Sequence, residues 1–349
     1  MLNYSVHLPD ETAMGEAKAR WNAVAKPLHS LGLLEDLIVR IAGIQGTADA
    51  RLAPRRTLIF CGDHGVVRKG VTQTEQSVTA LVAEAIARGE SNVNRMAAVS
   101  GTPVTAVDAG MVSDVPGILL RKTRYGTEDL SEGPAMTRAE AEDAIQGGIT
   151  LVRECAERGE RLIAVGEMGI GNTTATAAIC CVLLGMPVEK AVDRGAGLSD
   201  EGLQRKRAAV HRALAVNRPD PRDPLDVLSK VGGLELCAMA GAFLGGMTFR
   251  VPIIMDGVIT EAAALAAVRI CPETRHFMLA SHLGQEQAAA RILQELDLSA
   301  AIHANLALGE GTGAVALLPL LDMALAVYAG SHTFDALGMA PYTEQGGTV

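Results

Sequence analysis

The sequence predicts an α/β protein, a Rossmann-like parallel sheet with helices on both faces, joined to a small helical domain built from both chain ends. Two observations carry the sheet. Five short apolar runs each lead into a polar side chain, most of them through or beside a glycine, which is how buried parallel strands end in ligand-binding loops. They are TLIFCGDHG ending at Asp63 and His64, TPVTAVDAG at Asp108, RLIAVGEMG at Glu167, VPIIMDG at Asp256, and HFMLASH at Ser281 and His282. Helical patterns such as SVTALVAEAIARG, SDEGLQRKRAAVHRALAV and EAAALAAVRI separate them, and this alternation means crossover units around a parallel sheet. A third observation concerns the ends: residues 11–44 read as an amphipathic helical stretch around KPLHSLG, and 314–330 as an Ala/Leu helix. Residues 1–48 and 314–349 are therefore assigned to the small domain and 49–313 to the large catalytic one.

Length and composition fit this plan. A chain of 349 residues suits one large α/β unit with a smaller attachment. With 48% apolar residues but only five Phe, four Tyr and one Trp, the core must be built from Ala, Val, Leu, Ile and Met. The 37 glycines imply closely packed helices and tight backbone approaches. A net charge of -9 argues against a nucleic-acid surface, which relies on clustered Lys and Arg. Six cysteines without a Cys-x-x-Cys pair support neither a zinc ribbon nor a dithiol motif, and read as reduced thiols of a reducing compartment. The opening MLNYSVHLPDE lacks the pattern of a secretion signal, so a cytoplasmic protein is expected. The longest uncharged stretch, 169–188, opens with GIGNTT, and its apolar part has the length of a core helix rather than a membrane span.

Right-handed crossovers place every strand-end loop on one rim of the sheet, where open α/β folds bind ligands. A sixth, less strand-like stretch, LALGEGTG, adds Glu310 to that rim. Three segments there can carry chemistry. GEMGIGNTT, 166–174, follows a strand and opens a helix, so its amides and the helix start can hold an anion; a tight turn capped by Asn172 or Thr173 is the alternative. RGAGLSDEG, 194–202, feeds a helix with Ser199 as cap, Asp200 in the first turn and Lys206 two turns in; Lys206 is either a phosphate ligand or one of three cations on a wet face. In LGEGTGA the Glu310 carboxyl has no evident cation beside it, so desolvation raises its pKa toward the range of a general base.

Taken together, KPLHSLGLLEDL, AGIQG, FCGDHGVVRKGVT, GEMGIGNTT, RGAGLSDEG with its Lys206, DGVIT, SH and LGEGTGA occur in the order seen in nicotinate-nucleotide:dimethylbenzimidazole phosphoribosyltransferases, and the chain resembles that family over about residues 18–322. The resemblance implies transfer of ribose 5-phosphate from nicotinate mononucleotide to an aromatic base, giving an α-riboside phosphate for cobamide assembly. It implies no metal, cofactor or nucleoside triphosphate, and a homodimer. Carried over by motif, Glu310 is the catalytic base and Glu167 the second active-site acid. Gly169, Gly195 and Lys206 contact the phosphate, with Gly171, Asn172 and Gly311 in the same nucleotide-binding loops; Gln76 and Asp256 face the base.

The chain departs from the family's pattern around the base. Thr74-Glu75-Gln76-Ser77 replaces Tyr-Pro-Gln-Glu, KPLHS replaces Lys-Pro-Pro-Gly-Ser, LGQEQAA follows His282 where Arg-Ser-Ala-Glu-Pro-Gly-His is usual, and Glu261 stands in place of Thr. The acceptor is thus a benzimidazole or a phenol. The alternative is a catalytically weak nucleotide-binding subunit that works with a paralogous partner as a heterodimer.

Overall fold

The structure, a computed structural model, describes residues 2–343; residue 1 and residues 344–349 of the two end segments lie outside the described residues. Six parallel strands form one sheet in the order β3-β2-β1-β4-β5-β6. They are β1 (Arg55–Gly62), β2 (Val104–Gly110), β3 (Leu119–Leu120), β4 (Leu162–Met168), β5 (Ile253–Met255) and β6 (Met278–Ala280). All five apolar runs are strands. The sixth strand is not LALGEGTG: Gly309, Glu310 and Gly311 all have positive φ, which no extended strand permits, so that stretch is a loop. The sixth is instead the two-residue β3 at the edge, too short to leave a periodic signature.

Helices cover both faces. On one lie α5 (Arg138–Glu157), α6 (Asn172–Leu183), α7 (Val188–Ala191), α8 (Asp200–Asn217), α9 (Pro224–Val231), α10 (Leu234–Phe249), α11 (Val258–Ile270) and α12 (Gln287–Leu296), sharing one apolar cluster with Leu58, Phe60, Val107, Ile163 and Val165 of the strands. On the other lie α1 (Glu11–Ala23), α2 (Leu33–Gln45), α3 (Ser77–Ala87), α4 (Asn92–Val99) and α13 (Thr312–Gly330), packed on Ile59, Cys61, Ala106, Leu162, Ala164, Ile254 and Leu279. Residues 58–61 alternate between the two clusters because successive side chains of a strand point to opposite faces. The small-residue composition has its use where α5 crosses α10: a Cβ on Gly148 would lie 2.8 Å from the Ala242 amide nitrogen, so the helices touch backbone to backbone.

The amphipathic stretch 11–44 is two helices, because Pro27 lacks an amide and His29 and Gly32 take positive φ. Asp10 caps the first, accepting from the Ala13 amide at 2.9 Å. The chain ends meet: the rings of Trp21 and Tyr328 pack tilted at 57° with centroids 5.0 Å apart, and the Phe334 amide donates to the Ala23 carbonyl. Helix α13 is long and apolar enough to cross a membrane by length and composition. It buries Val315, Leu317, Leu318 and Leu321 against the fold, each worth about 1.5–3 kcal/mol, so it works as a core helix.

Candidate active site

The strand order reverses between β1 and β4, and in such sheets the crevice outside the carboxyl ends at the reversal is where ligands bind. Glu167 stands there, near the end of β4. A Cβ on Gly169 would lie 2.5 Å from the Gly62 carbonyl oxygen of β1, so only glycine lets the chain pass so close. The turn then enters α6 through Gly171 at φ +97. No side chain caps α6: Asn172 turns back to donate from Nδ2 to Oε2 of Glu167, and Thr173 faces Lys206. The alternative of an Asn172 or Thr173 cap thus gives way to two side-chain contacts at the rim. The Ile170 amide donates to Thr79 Oγ1 at 3.1 Å, tying this turn to α3.

Lys206 is not on a wet face. It is 1% exposed, whereas Arg205 beside it is exposed. Its Nζ donates to Thr173 Oγ1 at 2.7 Å and to the Asp193 carbonyl at 3.0 Å. Gly195, at φ +55, has room for a Cβ only at 3.4 Å from that Nζ and 3.3 Å from Thr173 Oγ1. The two glycine loops therefore meet at one buried ammonium. Burial lowers the Lys206 pKa to about 8, against Asp193 and Glu286, whose charges raise it. Ser199 caps α8 as expected, accepting from the Gly202 amide at 3.1 Å, and Asp200 lies in its first turn.

The same rim also carries acid. The 309–311 loop lies over the end of β4: a Cβ on Gly309 would sit 3.1 Å from Glu167 Oε1, and one on Gly166 would sit 2.9 Å from the Glu310 carbonyl carbon. Glu310 is half-buried at φ +58, and its Oε2 has no hydrogen-bond partner among the described residues. Burial, then the neighbouring Asp256, raises its pKa. Glu167 is raised to about 8 by burial, then by Asp256 and Glu235, against the Asn172 hydrogen bond that lowers it. Asp256 is raised by burial, opposed by His282 and three amides.

The expectation that Asp256 faces the base meets a different arrangement. Its oxygens are engaged by the amides of Gly311 at 3.0 Å, Gly313 at 2.7 Å and Ala314 at 3.2 Å, where a carboxylate complements the positive end of α13. Gln76 lies at the same rim, partly buried, one helical turn before Thr79. Two other rim acids are taken up structurally: Asp108 pairs with Lys122 Nζ at 3.0 Å, and Asp63 accepts from the Val112 amide at 2.9 Å. His64 instead meets Glu235 at 2.7 Å, and no group of His, Cys, Asp and Glu suited to a metal occurs among the described residues. The sequence offered Thr173 only as a cap and not as a Lys206 partner, and it singled out neither Thr79 nor Gln73, whose Nε2 donates to the Ala196 carbonyl at 3.0 Å and so joins the Gln76 segment to the second glycine loop. Thr173 was legible as the hydroxyl beside Asn172; the others have no local signature.

A sheet rim that carries a buried ammonium between two glycine loops and carboxyls of raised pKa is the make of an enzyme that transfers a group from a small phosphorylated molecule. Comparison makes the assignment specific. The chain matches the phosphoribosyltransferase family over residues 6–339. It is 43% identical over 334 residues to the nicotinate-nucleotide–dimethylbenzimidazole phosphoribosyltransferase of Desulforudis audaxviator, covering 95% of each chain. It is 41% identical over 338 residues to that of Chloroflexus aggregans, covering 96% of each. The crystal structure of CobT from Thermus thermophilus superposes with a TM-score of 0.88 at 40% identity, over 94% of this chain and 99% of that one. The protein belongs to the nicotinate-nucleotide–dimethylbenzimidazole phosphoribosyltransferase family.

Proposed function

We propose that the chain moves ribose 5-phosphate from nicotinate mononucleotide to an aromatic base of the dimethylbenzimidazole type, for the nucleotide loop of a cobamide. The observation that carries this reading is the pairing of Lys206, Thr173 and Gly195 around one buried ammonium with a Glu310 oxygen on the same rim that has no partner among the described residues. The phosphate sits against Lys206 and the loops carrying Gly169, Gly171, Asn172, Gly195 and Gly311. The bond from the anomeric carbon to the pyridinium nitrogen breaks with its electrons passing to nicotinate, a leaving group that needs no proton. The acceptor nitrogen bonds the same carbon from the opposite side, inverting it, and Glu310 takes the acceptor's N–H proton, a contribution of about 10²- to 10⁴-fold. Glu167 lies beside the ribose, and its negative form favours the positive charge that develops there. Asp256 acts by holding the Glu310 loop, and Gln76 by lining the acceptor's side.

The two chain ends serve as a small helical domain beside the acceptor, supported by the tilted ring contact of Trp21 with Tyr328. The working protein is a homodimer in the cytoplasm, where six free thiols remain reduced. The test is to incubate the protein with nicotinate mononucleotide and a panel of benzimidazoles, purines and phenols, and to follow nicotinate and riboside phosphates by mass spectrometry. Riboside phosphate of a benzimidazole is the expected product. Product with phenols alone moves the acceptor class; nucleotide binding without any product replaces the transferase by a binding subunit that needs a paralogous partner.

A further inference from the structure

The start of α6 rests on a side-chain pair that the proposed chemistry does not use. His64 leaves the end of β1 and turns inward, placing Nε2 2.7 Å from Oε1 of Glu235 in the first turn of α10, with both side chains 0% exposed. Burying such a pair is costly, and packing alone does not call for it. His64 Nδ1, Glu235 Oε2 and Asp63 Oδ1 have no hydrogen-bond partner among the described residues, so the pair completes no wider network. Glycines from three segments wall it in. A Cβ on Gly171 would lie 3.1 Å from His64 Cβ, one on Gly62 2.5 Å from Glu235 Oε2, and one on Gly233 2.7 Å from each Glu235 oxygen. His64, its ring held by Glu235, thus sets its Cβ, together with Val67, against the residue where α6 begins, and the next residue, Asn172, donates to Glu167.

We propose that His64 and Glu235 are positioning residues for the transfer: together they fix the start of α6, and through Gly171 and Asn172 the direction of the Glu167 carboxyl, without touching substrate. This rests on the reading of Glu167 as an active-site acid. Charge supports the geometry. Burial pulls the imidazole of His64 down, but the Glu235 carboxylate outweighs it and the pKa is raised. Glu235 in turn is among the charges that raise Glu167, after burial and Asp256. The other titratable groups that feel the pair are Asp63 on the His64 loop and Cys237 on α10. Where the imidazole is neutral, removing the Glu235 carboxylate therefore makes Glu167 easier to ionise; where it is charged, its own positive charge offsets Glu235.

The experiment uses the full chain and follows nicotinate release from nicotinate mononucleotide with dimethylbenzimidazole across pH. Glu235→Gln keeps the volume and a hydrogen bond to the imidazole, so a purely packing role predicts no change. The proposal predicts that the acid limb of kcat moves to lower pH by about half a unit or more. His64→Phe fills the space without the hydrogen bond and should lower kcat at least about tenfold while KM for the nucleotide stays within about threefold, and His64→Gln, whose amide reaches Glu235, should recover most of the rate. An unmoved limb in Glu235→Gln overturns the proposal, including where His64→Phe fails to fold. Glu167→Gln separates the two levels of failure. Full activity of that variant removes Glu167 from the site and the positioning role with it, whereas a crippled Glu167→Gln beside an unmoved limb in Glu235→Gln overturns the positioning role alone.

Discussion

The amide of Gly311 donates to Oδ2 of Asp256 at 3.0 Å, so the residue after Glu310 is held by a carboxylate that projects from the end of a different strand. The loop that presents the proposed base is thus anchored on its α13 side, while the Glu310 carboxyl stays uncommitted, with Oε2 buried and without a partner among the described residues. A base that must accept a proton at one moment of the reaction needs this combination of a fixed backbone and a free acceptor.

Glu310→Gln preserves the loop and removes the base. Turnover should fall at least about a hundredfold with little change in KM for the nucleotide, since a positioned base contributes about 10²- to 10⁴-fold to the chemical step and not to ground-state binding. Steady-state kinetics with saturating acceptor checks it, and a rate near that of the parent would remove Glu310 from the role.

Lys206→Ala should act on the other side of the cleft. The ammonium lies buried between Thr173 and the Asp193 carbonyl, so its loss removes a desolvated positive charge from the site proposed for phosphate. KM for nicotinate mononucleotide should rise at least about tenfold, with kcat at saturation much less affected. An unchanged KM would move the phosphate elsewhere.

The raised acids give a stability signature with a definite sign. Glu167 ionises near its ordinary value of 4.5 in the unfolded chain and at about 8 in the folded one. Between those values the folded state holds the extra proton, so stability falls as pH rises across that window and is fully relieved of this cost only below it. Glu167→Gln carries no ionisable group and should lose less thermal stability than the parent between about pH 5 and 8. Parallel melting-temperature curves for the two proteins would contradict the raised value.

Gly166→Ala probes the contact that seats the Glu310 loop on β4. A Cβ there would lie 2.9 Å from the Glu310 carbonyl carbon and closer still to the Gly311 backbone, and a backbone cannot swing aside as a side-chain tip can. The variant should lose about 1–3 kcal/mol of stability from overpacking and a larger share of its turnover, because the base moves with the loop. Chemical denaturation and kcat together check it; intact kcat in a destabilised variant would show that the loop's position does not matter to the reaction.

Much of the fold was legible because local pattern and tertiary role agree. The five apolar runs are buried on both faces, so their hydrophobicity is continuous and unmistakable, and the glycine-rich stops after them fall where loops leave the rim. LALGEGTG misled in the strand count because it is apolar like a strand, while its glycines and Glu310 adopt a conformation that pairing forbids. The burial of Lys206 was in principle readable. Gly202, Lys206, Ala209, Val210 and Ala213 form one buried stripe of α8 at helical spacing, but three consecutive cations hid it.

The sequence by itself determined the sheet, its helical cover on both faces, the single rim on which the polar strand ends gather, and the membership of a phosphoribosyltransferase family, since these follow from residue periodicity and from motifs in order. Only the tertiary structure decided what each polar side chain does there. Asp256 holds the α13 amides, Asp108 is neutralised by Lys122, Lys206 joins the two glycine loops, and His64 meets Glu235 under the start of α6. Those partners lie on different elements and, apart from the nearby Lys122, some 33 to 171 residues away. A side chain's charge, proton and direction depend on what the folded chain brings within a few ångströms of it, which no local pattern encodes.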